Sequence, residues 1–134
     1  MAQLAEKPQT TGTDVATLLL VDDDPNHREI YQRRLERRGY RVRLAESADE
    51  AVAAMREGAP SAVVLDIAMP ARDGLSALQE MIALQPDLPV IIHSSYPAFR
   101  DDFVAWMADA YVEKSCDLEP LLIALQRALS PPAT

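Results

Sequence analysis

The chain has 134 residues, 49% of them apolar, and its 13 basic against 21 acidic side chains give a net charge of −8. That length suits one domain, which buries roughly 68–70% of the surface its unfolded chain exposes and needs no metal or disulfide staple. The acidic balance speaks against a nucleic-acid-binding module, the single cysteine (Cys116) excludes an intrachain disulfide and fits a reducing compartment, and no apolar run approaches the roughly 18 residues of a membrane span.

Residues 1–16 are polar and aperiodic and predict a flexible N-terminal tail. Met1 to Pro8 hold no apolar stretch that could act as a secretion signal, so the expected location is cytoplasmic. The folded domain is expected over 17–130, with 131–134 a C-terminal tail or the start of a linker at Pro131-Pro132.

Between the tails, short apolar runs alternate with amphipathic segments. Strands are predicted at Thr17–Val21, Tyr40–Ala45, Ala62–Leu65, Val90–His93 and Ala110–Val112. Most are apolar on both faces, which suits parallel strands covered by helices on each side. In the second run Arg41 and Arg43 alternate with Tyr40, Val42 and Leu44, so one face is wet and the strand belongs at a sheet edge.

The first helix starts with Asp24 as N-cap and Pro25 at its first position. Ile30, Tyr31 and Leu35 form its inner stripe, and it closes at Gly39. Ser47-Ala48-Asp49-Glu50 is a capping box for a second helix that buries Ala51, Val52 and Met55 and ends at Gly58. Leu75, Leu78 and Ile82 mark a third helix, and Phe99, Phe103, Trp106 and Met107 a fourth. A fifth is capped by Asp117 and lined by Leu118, Leu121, Leu122, Leu125 and Leu129. Strand and helix alternate five times. The fold class is therefore α/β, a five-stranded parallel sheet with helices on both faces.

In such sheets, sites form beyond the carboxyl ends of the strands. There the sequence places Asp22-Asp23-Asp24, Asp66, Ser94-Ser95 and Glu113-Lys114. Converging carboxylates repel one another unless a cation sits among them, and all-oxygen ligation suits Mg²⁺. A carboxylate can attack phosphorus, and phosphoryl transfer asks mainly for positioning and charge neutralisation, which Mg²⁺, the Lys114 ammonium and the Ser94 hydroxyl could supply. The set is coherent for aspartyl phosphorylation.

With these residues in place, the sequence resembles the receiver domain of bacterial two-component response regulators, including the chemotaxis-regulator type. The resemblance covers about residues 17–129. It rests on Leu18-Leu19-Leu20-Val21-Asp22-Asp23, Val63 to Pro70, Asp73-Gly74, Pro89 to Ser94 and Tyr111-Val112-Glu113-Lys114, in order and each at its strand end. It implies a flavodoxin-like (βα)5 fold with strand order 2-1-3-4-5. It further implies that Asp66 accepts a phosphoryl group from a histidine kinase or phosphotransfer protein. Mg²⁺ is then held by Asp22, Asp23, Asp66 and the backbone carbonyl of Ala68. Ser94 matches the switch hydroxyl, Tyr111 the aromatic that follows it, and Lys114 the lysine that pairs with the phosphoryl oxygens. The face built from the fourth helix, fifth strand and fifth helix is, by resemblance, a partner or homodimer surface, with no membrane and no direct nucleic acid involved. The chain departs from the family in having Ser115 where proline is usual, Ser95 after the switch hydroxyl, and a separation of 20 positions from Ser94 to Lys114.

Simpler readings stand beside these. Asp24 reads as a helix cap, His27 as a solvated residue of the first helical turn, and His93 as a packed, hydrogen-bonded histidine. Cys116 reads as inert. Residues 28–43 hold seven Arg against two Glu, read as a solvated helix face and wet edge strand in preference to a docking surface for an acidic partner. An enzyme reading, a phosphohydrolase with an aspartate nucleophile, is disfavoured because Ala68 stands where such enzymes place a general acid. The expectation is a signalling switch that acts only on its own phosphorylation. The alternative is a pseudo-receiver, an interaction module with an inactive or weak site.

Overall fold

The structure is a computed structural model that describes residues 15–66, 74–95 and 108–129. The elements run β1 (Thr17–Val21), α1 (Pro25–Arg37), β2 (Arg41–Ala45), α2 (Ala48–Glu57), β3 (Ala62–Leu65), α3 (Gly74–Leu84), β4 (Val90–Ser94), β5 (Ala110–Glu113) and α4 (Glu119–Leu129). The helix expected around Phe99–Met107, the Ala68 carbonyl and both predicted tails (bar residues 15 and 16) lie outside the described residues.

All strand pairs are parallel and the sheet order is β2-β1-β3-β4-β5. Side chains alternate across each strand, so a run apolar at every position feeds two cores. Leu19, Val21, Val63, Leu65, Val90 and Ile92 pack with Ala48, Ala51 and Met55 of α2 and Leu78 and Met81 of α3. Leu18, Leu20, Val64, Ile91 and Val112 pack on the opposite face with Tyr31 and Leu35 of α1 and Leu121, Leu122 and Leu125 of α4. The flavodoxin-like layering expected from the sequence is thus present, with β2 at the edge.

The helix caps follow from local chemistry. The Asp24 carboxylate accepts from the backbone N–H of Asn26 and His27, and these bonds lower its pKa. Gly39 takes φ +95°, a left-handed conformation that closes α1 at little cost to a residue without Cβ. Ser47 caps α2 through Glu50 N–H, but the Glu50 side chain reaches back to Glu46 N–H, so the expected capping box closes one residue earlier.

Two expected core positions turn outward. Ile30 is exposed, because Tyr31 and Leu35 already occupy the α1 stripe that meets the sheet. Leu44 is exposed on the edge strand, one residue before its buried end at Ala45, and Arg43 is the half-buried residue beside it. The Arg43 guanidinium donates to the carbonyls of Ala54 and Gly58, each at 2.7 Å, and satisfies the open C-terminal end of α2.

Arg43→Ala is expected to lower stability by about 1–2 kcal/mol, since it leaves two helix-end carbonyls without that donor. Arg41→Ala, two positions away on the same face of the strand but exposed, should stay within about 0.5 kcal/mol of wild type. Urea midpoints compared at constant slope check this, and equal effects from the two variants would contradict the capping role.

Candidate phosphorylation and metal site

The parallel register builds the site. Val21 of β1 pairs with Leu65 of β3, so the next residues, Asp22 and Asp66, leave adjacent central strands side by side. Backbone bonds fix the exits: Asp22 N–H donates to Ala45 O, and Asp66 N–H to Val21 O. Asp22 Oδ1 accepts from Asp24 N–H at 2.9 Å, which folds the turn into α1 and leaves Oδ2 for the site. Arg28 secures the same turn by donating to the Asp22 carbonyl at 2.7 Å. Asp22, Asp23 and Asp66 each offer a carboxylate oxygen, all within 4.8 Å of one another.

Lys114 arrives from β5, two strands from β3 and so roughly 10 Å away. Its backbone N–H donates to Ser94 O at 2.9 Å, and its four-carbon stem carries the ammonium back across the rim. Nζ donates to Asp22 Oδ2 at 2.6 Å and Asp66 Oδ2 at 3.0 Å. The three side chains are 6%, 2% and 10% exposed, so the pairing takes place with little water between. Burial alone would pull the Lys114 pKa down, but the Asp22 hydrogen bond and the charges of Asp66 and Asp22 outweigh it, and the pKa is raised. The ammonium is permanently charged at neutral pH.

Ser94 ends β4 fully buried, opposite Glu113 in register. Tyr111 packs on the α2–α3 core face, paired with Ile92. Both stand on the elements expected. Cys116 is a free, exposed cysteine.

The two histidines depart from the reading of sequence. His27 was expected in solvent, yet its Nδ1 lies 3.1 Å from Lys114 Nζ. No local signal in the sequence marks this contact, which spans 87 positions. His93 is packed as expected, 3% exposed and edge-on to Tyr31 at 4.7 Å, but its ring makes no hydrogen bond within the described residues. The basic stretch is largely engaged within the fold: Arg28, Arg34 and Arg43 donate to backbone carbonyls, while Arg33 and Arg38 pair with Glu29 and Glu119.

Comparison with known proteins agrees with this geometry. The family model for the response regulator receiver domain matches residues 18–126. The chain belongs to that family. It is 36% identical over 115 residues to the transcriptional regulatory protein ZraR of Salmonella typhimurium, covering 84% of this chain and 26% of that protein. It is 38% identical over 120 residues to the response regulator MprA of Mycobacterium sp. (strain KMS), covering 85% and 52%. The chain therefore spans only about a quarter to a half of these curated relatives. Among solved structures it is similar to the response regulator TrrA of Thermotoga maritima in complex with Mg²⁺-BeF, with TM-score 0.84, 34% identity and coverage of 86% and 100%. It is also similar to TrrA in complex with the histidine kinase ThkA, with TM-score 0.82, 34% identity and coverage of 87% and 100%. This protein is thus a two-component receiver domain with a (βα)5-type sheet. Among the described residues no helix is long and apolar enough to cross a membrane.

His93 gives the receiver an acid-sensitive core. Burial, then the charge of Lys114, lowers its pKa from 6.5 to about 3. The unfolded chain takes up a proton at this residue near its ordinary pKa, and the folded chain refuses it until far lower pH. The stability it contributes is full above pH 6.5 and drains as pH falls towards about 3. The slope is about 1.4 kcal/mol per pH unit, so His93→Leu should escape roughly 2 kcal/mol of the loss between about pH 7 and pH 5. Urea titrations of both proteins at the two pH values decide it; equal losses would contradict a neutral buried His93.

Proposed function

We propose that this receiver is a phosphorylation-dependent switch in which Asp66 takes a phosphoryl group from a histidine kinase or histidine phosphotransfer protein. The observation that carries the reading is the Lys114 ammonium lodged between Asp22 Oδ2 and Asp66 Oδ2, with Asp23 completing the acid cluster. The TrrA structures with Mg²⁺-BeF and with a histidine kinase support it by similarity.

The donor set fits Mg²⁺: three carboxylates offer hard oxygens within 4.8 Å of one another, and one ammonium cannot balance their charge. Asp22, Asp23 and Asp66 would hold the ion, with the Ala68 carbonyl as the expected fourth protein ligand. When bound, Mg²⁺ supplies charge neutralisation at the phosphoryl oxygens. Asp66 is the nucleophile: one carboxylate oxygen forms the bond to phosphorus as the phosphorus–nitrogen bond of the donor phosphohistidine breaks, which gives an acyl phosphate. Lys114, already charged and desolvated beside Asp66, stabilises the negative charge on the transferred group without reorganising. Ser94 offers its hydroxyl to the same group from the end of β4, and Tyr111 follows on β5. The chain's chemistry is then limited to gaining and losing its own phosphoryl group.

The signal leaves through the face that contains β5 and α4. A groove there is lined by Tyr111, Pro120, Ile123, Ala124 and Ala128, and Lys114 reaches its rim. A change at Lys114 or Tyr111 alters that lining directly, so the surface suits a downstream protein or a second copy of the chain.

Incubation with acetyl phosphate and Mg²⁺ is expected to give one phosphoryl adduct, seen by mass spectrometry and absent in Asp66→Asn. An adduct retained in Asp66→Asn would reassign the acceptor, and none in wild type would favour the pseudo-receiver alternative. Mg²⁺ at a hundredfold excess over its Kd should raise stability by about 2.7 kcal/mol, because the ion binds only the folded cluster. Asp22→Asn with Asp23→Asn should abolish that thermal shift, and a shift that survives both changes would place the ion elsewhere.

A further inference from the structure

The segment leaving β5 is gripped by α1 one residue at a time. His27 Nδ1 lies 3.1 Å from Lys114 Nζ. The Tyr31 hydroxyl donates to Ser115 O at 3.4 Å, and Arg34 Nη1 donates to Cys116 O at 3.1 Å. The three helix residues stand at i, i+4 and i+7, one stripe of α1, and the three loop residues are consecutive. From His27 to Arg34 the helix rises about 10 Å, and an extended chain covers about 7 Å from the first loop residue to the third. The two segments therefore run alongside each other closely enough for side chains of different length to meet each carbonyl in turn.

The first of these contacts differs from the others because it reaches the ammonium itself. A lysine ammonium has three N–H donors. Here Asp22 Oδ2, Asp66 Oδ2 and His27 Nδ1 are within 3.1 Å of Nζ, one for each. His27 Nδ1 can take the third only as an unprotonated acceptor, which assigns the ring its Nε2–H tautomer. The stripe is itself held firmly. Tyr31 is buried with its ring edge-on to both His27 and His93, and the Asp24 carboxylate caps the turn that carries His27.

We infer that the His27–Tyr31–Arg34 stripe is a positioning device for Lys114. It rests on the phosphoryl-transfer reading above. His27 takes the third N–H and keeps the flexible stem from swinging out to solvent, while Tyr31 and Arg34 fix the backbone that follows it. None of the three touches the phosphoryl group. They act through the place of the ammonium, whose displacement by an ångström is costly in a site that works by preorganised charge.

The test uses the whole chain with two readouts. The first is ¹⁵N-resolved NMR of the His27 ring: wild type should show the Nε2–H tautomer with Nδ1 accepting, and Lys114→Met should admit the Nδ1–H form. The second is the rate of phosphorylation across a range of acetyl phosphate concentrations at fixed saturating Mg²⁺. His27 is partly exposed, so its variants should keep the fold. His27→Phe keeps a ring but no acceptor and should lower the limiting rate by about tenfold, with little change in the concentration for half-maximal rate. His27→Gln restores an acceptor and should recover most of the rate. A His27 ring protonated at Nδ1, or a His27→Phe limiting rate equal to wild type, would overturn the positioning role alone. A wild type that takes no phosphoryl group under these conditions would instead overturn the functional reading on which this inference rests.

Discussion

A single buried ammonium between two carboxylates governs this molecule. Parallel strands deliver Asp22 and Asp66 to one edge in register, and three acids within 4.8 Å cannot share that edge without a cation. Lys114 supplies it from two strands away, with the side chains almost dry. Removing charges from water is expensive, and the arrangement holds because Asp22 also accepts a backbone N–H and two of the Lys114 N–H groups are directed to carboxylate oxygens. A second cation is then the natural complement for the remaining negative charge.

The rest of the fold can be read as what this pairing requires. Two apolar faces on each central strand secure the sheet from both sides, so the strand ends are fixed points rather than loose loops. The helices do more than cover the sheet. The N-terminal turn of α1 is tied to Asp22 through Asp24 and Arg28, and its polar stripe reaches the segment that carries Lys114.

Much of this was legible in the residues. Runs such as Val63-Val64-Leu65, apolar at every position, imply burial on both faces and hence a parallel sheet with acids at its carboxyl edge. Asp24-Pro25, Gly39 and Ser47 punctuate helices by chemistry that acts within a few residues, and those boundaries agree closely. What could not be read depends on contacts between segments far apart in the chain. His27 sits 87 positions from Lys114, and nothing local distinguishes it from a solvated histidine. Ile30 and Leu44 are apolar at positions that look inward by period, but the inner stripe of α1 was already filled and Leu44 stands on the edge strand, which has no neighbour on its far side. The arginine-rich stretch looked like one solvated face, whereas Arg28 closes a carbonyl across the turn into its own helix and Arg34 and Arg43 close carbonyls that packing against other elements brings near.

The most direct measurement is the coupling energy between Lys114 and Asp66, from urea unfolding of wild type, Lys114→Met, Asp66→Asn and the double variant without Mg²⁺. Loss of the ammonium alone leaves two buried carboxylates facing each other and is predicted to cost about 3–5 kcal/mol. In the Asp66→Asn background that repulsion is largely gone, and the same change is predicted to cost at least about 1.5 kcal/mol less. Equal costs in the two backgrounds would show that Lys114 and Asp66 do not act on one another, and would contradict the account.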